Sequence, residues 1–470
     1  MGADIAKGPG CSGGECPAGN GEANLSDMVP LLDHALTQRR RAATPPQAAR
    51  PWPLPRARSP RLTALEESLT RATPGERDRI LDRFEAEVMA AGTPLVEEGS
   101  REGGRIVSFL RRGPAPRGVY LEANRITDPT DPGEARMLPL GGSDLCALSL
   151  EMPSTWIASY RFVVPGSPPP AASPHEGVRL GDYRAFLAHA EQDPHCREHL
   201  PAGAGAQGPA AHGVLALEEA PGVPHRVTAA WRRRDAVLTA PASGRELDLV
   251  VLTHPGAGAG SPLVICLDGE AWLGDALLVE ALAAAVEEGR MAPPRLALLC
   301  AAEGAQRQID WACEPAESRA LLEAVLALAG PGPGHGTGGS RPPVVVAGQS
   351  LGGLFAMLCA VRHGDLVDAV VAQSASLWWP RSEPVDPGAG RWFEEVGRRG
   401  DSAPVVLQGG RLEWNLVGAL LHARSLLDAV GALVPAPHDL VTGGHDMAWW
   451  RRALPGAIEQ AVGAAGRARR

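Results

Sequence analysis

From Leu62 the segment "LTALEESLTRATPGERDRILDRFEAEVMAAGTPLVE" repeats its apolar residues at helical spacing. The period then changes. "GRIVSFLRR", "RGVYLEAN", "DLCALSLEMP" and "IASYRFVVP" alternate apolar and polar positions, with Gly, Pro and Asp between them. That pattern predicts a strand-rich antiparallel module. "SPPPAASPHEG" and "LPAGAGAQGPAAHG" interrupt it. From about Val227 the pattern changes again. "RVTAAWR", "RELDLVVLTHP" and "PLVICLDGEAW" read as strands, and "DALLVEALAAAVEEG" as a helix. The strand "RLALLCAAE", the helix "AESRALLEAVLALA" and the strand "PPVVVAG" follow. Next come the helix "LFAMLCAVRHG" and the strands "VDAVVAQSAS" and "APVVLQGG", then "VGALLHARSLLDAVGA" and "HDLVTGGHD". Strands alternating with helices predict a mostly parallel sheet covered on both faces, so the fold class is α/β. No internal repeat is evident. The boundaries expected are a tail over 1–60, a β-rich domain over 61–220 and an α/β domain over 221–465.

Composition sharpens this picture at the N-terminus. "GPGCSGGECPAGNGEAN" and "AATPPQAARPWPLPRARSPR" carry too little apolar surface to offset chain entropy, which predicts a mostly disordered tail. Within it, "LSDMVPLLDHALTQRR" could form a short helix. The chain of 470 residues has 56 Gly and 44 Pro; its Arg is abundant and its Lys nearly absent, an excess that reads as coding bias. The net charge of −9 argues against generic nucleic-acid binding, which needs a basic face. Cys11, Cys16, Cys146, Cys196, Cys266, Cys300, Cys313 and Cys359 are scattered, several in apolar runs. They read as reduced thiols rather than a disulfide framework. Cys11 and Cys16 have no partners at zinc-site spacing, so no metal site is expected. The N-terminus has no apolar signal region, and no run of 18 apolar residues occurs, so the expected location is cytoplasmic with no membrane span.

The chemistry centres on "VVVAGQSLGG". A strand ends near Gly348 and a helix begins after Ser350, with small residues at Gly348 and Gly352. This is the G-x-S-x-G nucleophile elbow in its required strand–turn–helix context. A serine hydroxyl needs a base. The downstream histidines are His363, His422, His438 and His445. His363 ends the elbow helix, His422 sits mid-helix and His438 begins a strand. His445, in "VTGGHDMAWW", follows a strand and two glycines, which is where a catalytic base belongs. Glu413, in "GGRLEWN", follows the strand "APVVLQGG" and fits the acid that holds the imidazole. Asp401, Asp439 and Asp446 are the alternatives. The oxyanion hole should use the N–H of Leu351 with Gly269 or Glu270 from "LDGEAW".

"LDGEAW", "VVVAGQSLGG", "AQSASLWWP" and "GGHDMAWW" occur together, in this order, in enterochelin (enterobactin) esterases, and this chain resembles that family from about residue 100 to 460. The resemblance implies an α/β-hydrolase catalytic domain preceded by an immunoglobulin-like β-rich domain, with "TWIASYRF" similar to the family's W-x-x-S-Y strand. It implies Ser350 as nucleophile, His445 as base and Glu413 as acid. "RQIDWAC", from Arg307 to Cys313, resembles a family segment in which Glu, Leu and Asn stand at the positions of Asp310, Trp311 and Glu314. The implied substrate is a ferric catecholate siderophore, a cyclic triester of N-acylated serines. Its iron is cargo, so no cofactor is implied. Trp156, Arg161, Trp272, Arg307, Trp378 and Trp379 are the pocket candidates, since Arg suits anionic catecholates and Trp a planar ring. The β-domain would close over the ligand. An esterase for another substrate, of feruloyl ester or S-formylglutathione type, would keep the elbow and His445. A non-catalytic binding protein would be expected to lose one member of the triad. No nucleic acid is expected as a partner, and the sequence leaves the oligomeric state open.

Overall fold

In the computed structural model the described residues are 50–170, 180–200, 211–240, 244–300, 307, 311, 315–330, 341–380, 388 and 390–468. The short helix expected in the tail, and Cys11, Cys16, Asp310, Cys313 and Glu314, lie outside them. The chain enters with residues that composition assigns to the disordered tail, and these are instead anchored. Arg50 N donates to Asp128 Oδ2 at 2.7 Å, its Nη2 pairs with Glu134, and Leu54 is buried in the β-module core. One apolar anchor and a buried guanidinium hold what composition alone scores as unfoldable.

Helices α1 (Pro60–Arg71) and α2 (Pro74–Ala91) follow. Ser59 caps α1 by accepting from Leu62 N, and both helices carry Pro at their first position. Leu62, Leu65, Leu69, Leu81, Phe84 and Val88 form their shared apolar stripe. The β-module then comprises β1 (Leu95–Glu98), β2 (Gly104–Arg112), β3 (Val119–Ala123), β4 (Arg136–Pro139), β5 (Leu145–Pro153) and β6 (Ile157–Val163). Helix α3 (Leu180–Leu187) and the short β7 (Ala190–Glu191) and β8 (Gly213–Ala216) complete it. The strand order is β1-β2-β5-β4-β3-β6-β7, with β8 also on β6, and all pairings are antiparallel. Phe109, Leu148 and Leu150 from one half meet Leu121, Ala158, Tyr160 and Phe162 from the other in a single core.

The second sheet has the order β16-β15-β14-β13-β11-β12-β10-β9. Its strands are β9 (Arg232–Thr239), β10 (Glu246–Thr253), β11 (Leu263–Leu267), β12 (Arg295–Leu299), β13 (Val344–Gln349), β14 (Ala369–Gln373), β15 (Val405–Gly410) and β16 (Leu440–Val441). It is parallel from β12 to β16, and β9 and β10 add antiparallel at one edge. The sequence predicts the first of these strands at "RVTAAWR", but it lies one block later, at "RRRDAVLT". An edge strand with one buried position, Leu238, leaves little apolar alternation to read.

The helices are α4 (Gly269–Leu273), α5 (Leu277–Glu287), α6 (Pro315–Ala329), α7 (Leu351–Arg362), α8 (Arg391–Arg399), α9 (Val417–Ala429) and α10 (Met447–Ala468). Along β13 the side chains alternate between two cores. Val344 and Val346 face the core built with α6 to α9; Val345 and Ala347 face the one built with α5 and α10. This two-sided burial explains why the parallel strands read as unbroken apolar runs. Ile157 and Val214 of the β-module join the α10 side, so the two sheets share a core through residues 43–470, which form one compact unit. Among the described residues Cys146, Cys196, Cys266 and Cys300 are free thiols, and no helix is long and apolar enough to cross a membrane.

Candidate active site

Ser350 lies between β13 and α7 with φ 56° and ψ −118°. A non-glycine residue there is strained, and the surrounding structure must hold it. The turn is tight enough that a Cβ at Gly348 would lie 2.4 Å from the carbonyl carbon and oxygen of Gly352. Ser350 N donates to Gln373 O, and Ser376 N donates to Ser350 O, which fastens the elbow to the end of β14. The Oγ atoms of Ser350 and Ser376 lie 3.3 Å apart. Leu351 opens α7, so its N–H is among the first four that a helix leaves without an internal partner.

Beneath the elbow runs a ladder of buried amides. Gln349, Gln373 and Gln408 end or nearly end three adjacent strands, in register. Gln349 Nε2 donates to Gln373 Oε1 at 3.0 Å, and Gln373 Nε2 to Gln408 Oε1 at 2.8 Å. Gln408 Nε2 donates to Pro437 O, and Gln373 Nε2 also reaches Trp450 O. Each glutamine immediately precedes, or lies two residues before, a group of the site: Ser350, Ser374 and Gly410. The ladder ties the three strand ends to the chain around His445.

Glu413 follows β15 and is 1% exposed. Its Oε2 lies 2.7 Å from His445 Nδ1. Its Oε1 accepts from Ser374 Oγ and from Gly410 N. Trp450 Nε1 donates to Ser374 Oγ at 3.0 Å, and the Trp450 ring meets the imidazole edge-to-face at 4.8 Å. Burial alone would raise the Glu413 pKa. The charge and hydrogen bond of His445, the Ser374 hydroxyl and the nearby Arg125 outweigh it and hold the carboxyl below the usual range. An ionised Glu413 makes Nδ1 the donor and leaves Nε2 with the lone pair, which is the tautomer a general base needs.

The other candidates have different partners. Asp446 Oδ2 and Oδ1 accept from Ser159 N and Ala448 N. Asp439 pairs with Arg424, and Asp401 is exposed. His363 is buried against Ser318 Oγ at 2.8 Å, and His422 packs on Phe393.

On the opposite side, Asp268 adopts the left-handed region at φ 56° and turns the chain so that Gly269 and Glu270 begin α4. Arg307 grips both Asp268 oxygens, Nε and Nη2 each at 2.6 Å, and Trp311 Nε1 adds a third bond at 2.9 Å. A Cβ at Gly352 would lie 3.3 Å from Asp268 Oδ2, so this loop abuts the elbow helix. Arg307 thus serves Asp268 with two of its nitrogens.

The aromatic candidates divide. Trp378 and Trp379 lie two and three residues after Ser376 and meet edge-to-face at 5.8 Å. Trp379 is partly exposed, while Trp378 is buried. Trp272 and Trp156 need correction as pocket residues. Trp272 is buried under its loop with Nε1 on Leu267 O, and Trp156 is core packing beside Phe109. A large ring flanked by apolar strands was worth more as filling than as a wall. Arg161 is buried against Glu122 at 2.9 Å, and its Nη1 has no hydrogen-bond partner among the described residues. Sequence reasoning gave no role to Ser374, Ser376, the glutamines, or Asn124 and Arg125. "AQSAS" was visible as a motif, but nothing local says that its first serine would bind an acid 39 residues away.

Two family models match the chain. "Enterochelin esterase, N-terminal" matches residues 106–225, and "Putative esterase" matches residues 328–461. The chain thus matches an enterochelin esterase N-terminal domain followed by an esterase domain. An iron(III) enterobactin esterase of Dickeya dadantii is 29% identical over 416 residues, covering 78% of this chain and 90% of that one. An iron(III) salmochelin esterase of Escherichia coli is 28% identical over 396 residues, covering 80% and 92%. Among solved structures, the ferric enterobactin esterase of Salmonella typhimurium superposes with a TM-score of 0.65 at 22% identity. It covers 82% of this chain and 99% of that one. That likeness shows that the β-module and the esterase sheet together make the fold of that esterase. Among the described residues no cluster of three or more His, Cys, Asp or Glu side chains could hold a metal ion.

Proposed function

We propose that this enzyme is a serine esterase that hydrolyses the ester bonds of a ferric catecholate siderophore such as enterobactin, freeing the iron in the cytoplasm. The Glu413–His445 pair and the strained turn at Ser350 carry this reading, together with relatives named for iron(III) enterobactin and iron(III) salmochelin. The iron belongs to the substrate.

Ser350 Oγ attacks the ester carbonyl as His445 Nε2 takes its proton. Leu351 N–H, with an N–H from Gly269 or Glu270, receives the developing oxyanion. The protonated imidazole, held by ionised Glu413, returns its proton to the departing serine hydroxyl of the substrate. The ring opens, and the whole siderophore remains joined to Ser350 as an ester. Water, deprotonated by His445, then releases it. Later cuts repeat this on the linear product.

The domains proposed are the β-domain over 61–220 and the esterase domain over 221–465. The two halves of the β-module fold over one core, which supports an immunoglobulin-like sandwich. Recognition is assigned to Trp378, Trp379, Arg307 and Arg161. The charge of Arg161 suits an anionic catecholate. The test is mass spectrometry of products from cyclic and linear catecholate siderophores, with and without Fe(III). Linear trimer, dimer and monomer are expected from the ferric forms. No turnover of any of these would sink the substrate assignment and leave the fold standing.

A further inference from the structure

The loop carrying His445 is held from two sides. On the esterase side, Arg411 N donates to Val441 O, Leu412 N to Gly443 O and Trp449 Nε1 to Gly444 O. The β-module grips the same loop from the other side. Trp156 forms a parallel bridge with Thr442, and Ile157 N donates to Thr442 O at 3.1 Å. The hydroxyls of Thr155 and Thr442 lie 2.8 Å apart. Ser159 N donates to Asp446 Oδ2 at 2.6 Å. Asn124 Nδ2 donates to the carbonyl of His445 itself at 3.0 Å. The approach is close: a Cβ at Gly444 would lie 2.4 Å from Asn124 Oδ1 and 2.6 Å from Arg125 Cβ.

We infer that the N-terminal β-module positions the catalytic base, through Asn124 and the Thr155–Ser159 stretch, independently of any contact it makes with substrate. The inference rests on His445 being the base. β16 has only two residues and is the edge of its sheet, so the esterase sheet alone gives the loop little purchase. Glu413 fixes the rotation of the imidazole through Nδ1, but the position of the His445 backbone depends on what its carbonyl is bonded to. Asn124 is itself set by the module: its N donates to Ser159 O, and Arg125 beyond it turns at φ 58°. One strand end and its neighbour β6 thus form a jig for the loop. Displacements of about 1 Å at such a site cost on the order of a hundredfold in rate.

The experiment uses the full chain and a fluorophosphonate probe. The probe reports how well Ser350 is activated and needs no siderophore, so a wrong substrate assignment leaves the test intact. Ser350 Oγ displaces fluoride from phosphorus while His445 accepts the proton. Rates are taken on the folded, monodisperse fraction of Asn124→Ala and Thr155→Val. Both are expected to be phosphonylated about fivefold to tenfold more slowly than wild type, the equivalent of one lost hydrogen bond. On ferric enterobactin, kcat should fall by the same factor with KM within about twofold. A wild-type phosphonylation rate in either variant would overturn the inference, as would a loss confined to KM.

Discussion

At the scale of single residues the account rests on Glu413. Its two oxygens are fully assigned, one to His445 and one to Ser374 and Gly410 N. Glu413→Gln keeps the shape but lets the amide face Nδ1 with the wrong polarity. Its kcat should fall about 10³-fold to 10⁴-fold, the cost of the wrong imidazole tautomer. Steady-state kinetics on ferric enterobactin, with Ser350→Ala as the floor, checks this. The depressed pKa of Glu413 also links to stability. A carboxyl whose folded pKa lies below its unfolded value, about 4.3 for Glu, contributes stability that is present above that value. The contribution is lost as pH falls through the folded pKa. The unfolding free energy of wild type minus that of Glu413→Gln should therefore be largest near neutrality and shrink below about pH 4. Urea melts across pH measure it, and a difference that grows on acidification would contradict the assignment.

At the scale of elements, the strand-to-helix joints decide the site. The elbow was legible in sequence because its requirements are local. Three valines demand a buried strand, and the glycines at 348 and 352 permit the turn. Gly348→Ala would press a methyl 2.4 Å from backbone atoms of Gly352. It is expected to abolish activity and lower the melting temperature by several degrees, read by calorimetry beside a fluorophosphonate assay. The glutamine ladder was not legible, because each amide looks like an ordinary polar residue at a strand end. Only the pairing of β13, β14 and β15 reveals it. Gln373→Leu removes the partner of Gln349 Nε2 and the donor to Gln408 Oε1. It should cost about 2–6 kcal/mol in urea unfolding, since each of the two orphaned polar groups costs about 1–3 kcal/mol. The tryptophans at 156 and 272 show the reverse problem. Their composition suits a pocket and a core equally, and only tertiary packing chose.

At the scale of the whole molecule, the two sheets are joined through α10. Glu198, in the β-module, accepts from both Arg451 and Arg452 of that helix. Arg451 and Arg452 are buried, so Glu198→Ala should destabilise the chain by about 3 kcal/mol while leaving the Glu413–His445 pair in place. Chemical denaturation beside the fluorophosphonate assay checks both halves of that statement. The contact of Asn124 with His445 spans 321 residues of sequence, which is why no motif announces it. The alternation of strands and helices and the tight turn at Ser350 were readable because they depend on runs of neighbouring residues. The acid's second oxygen, the amide ladder and the domain junction were not, because each is made by residues that meet only after folding.

The most direct test of the central claim is to quench the enzyme in acid during turnover of ferric enterobactin and map the adduct by mass spectrometry. Ring opening by Ser350 loses no atoms, so the account predicts a peptide containing Ser350 heavier by one whole iron-free siderophore, absent from Ser350→Ala. Product formation with Ser350 unmodified, or an adduct on another residue, would contradict it.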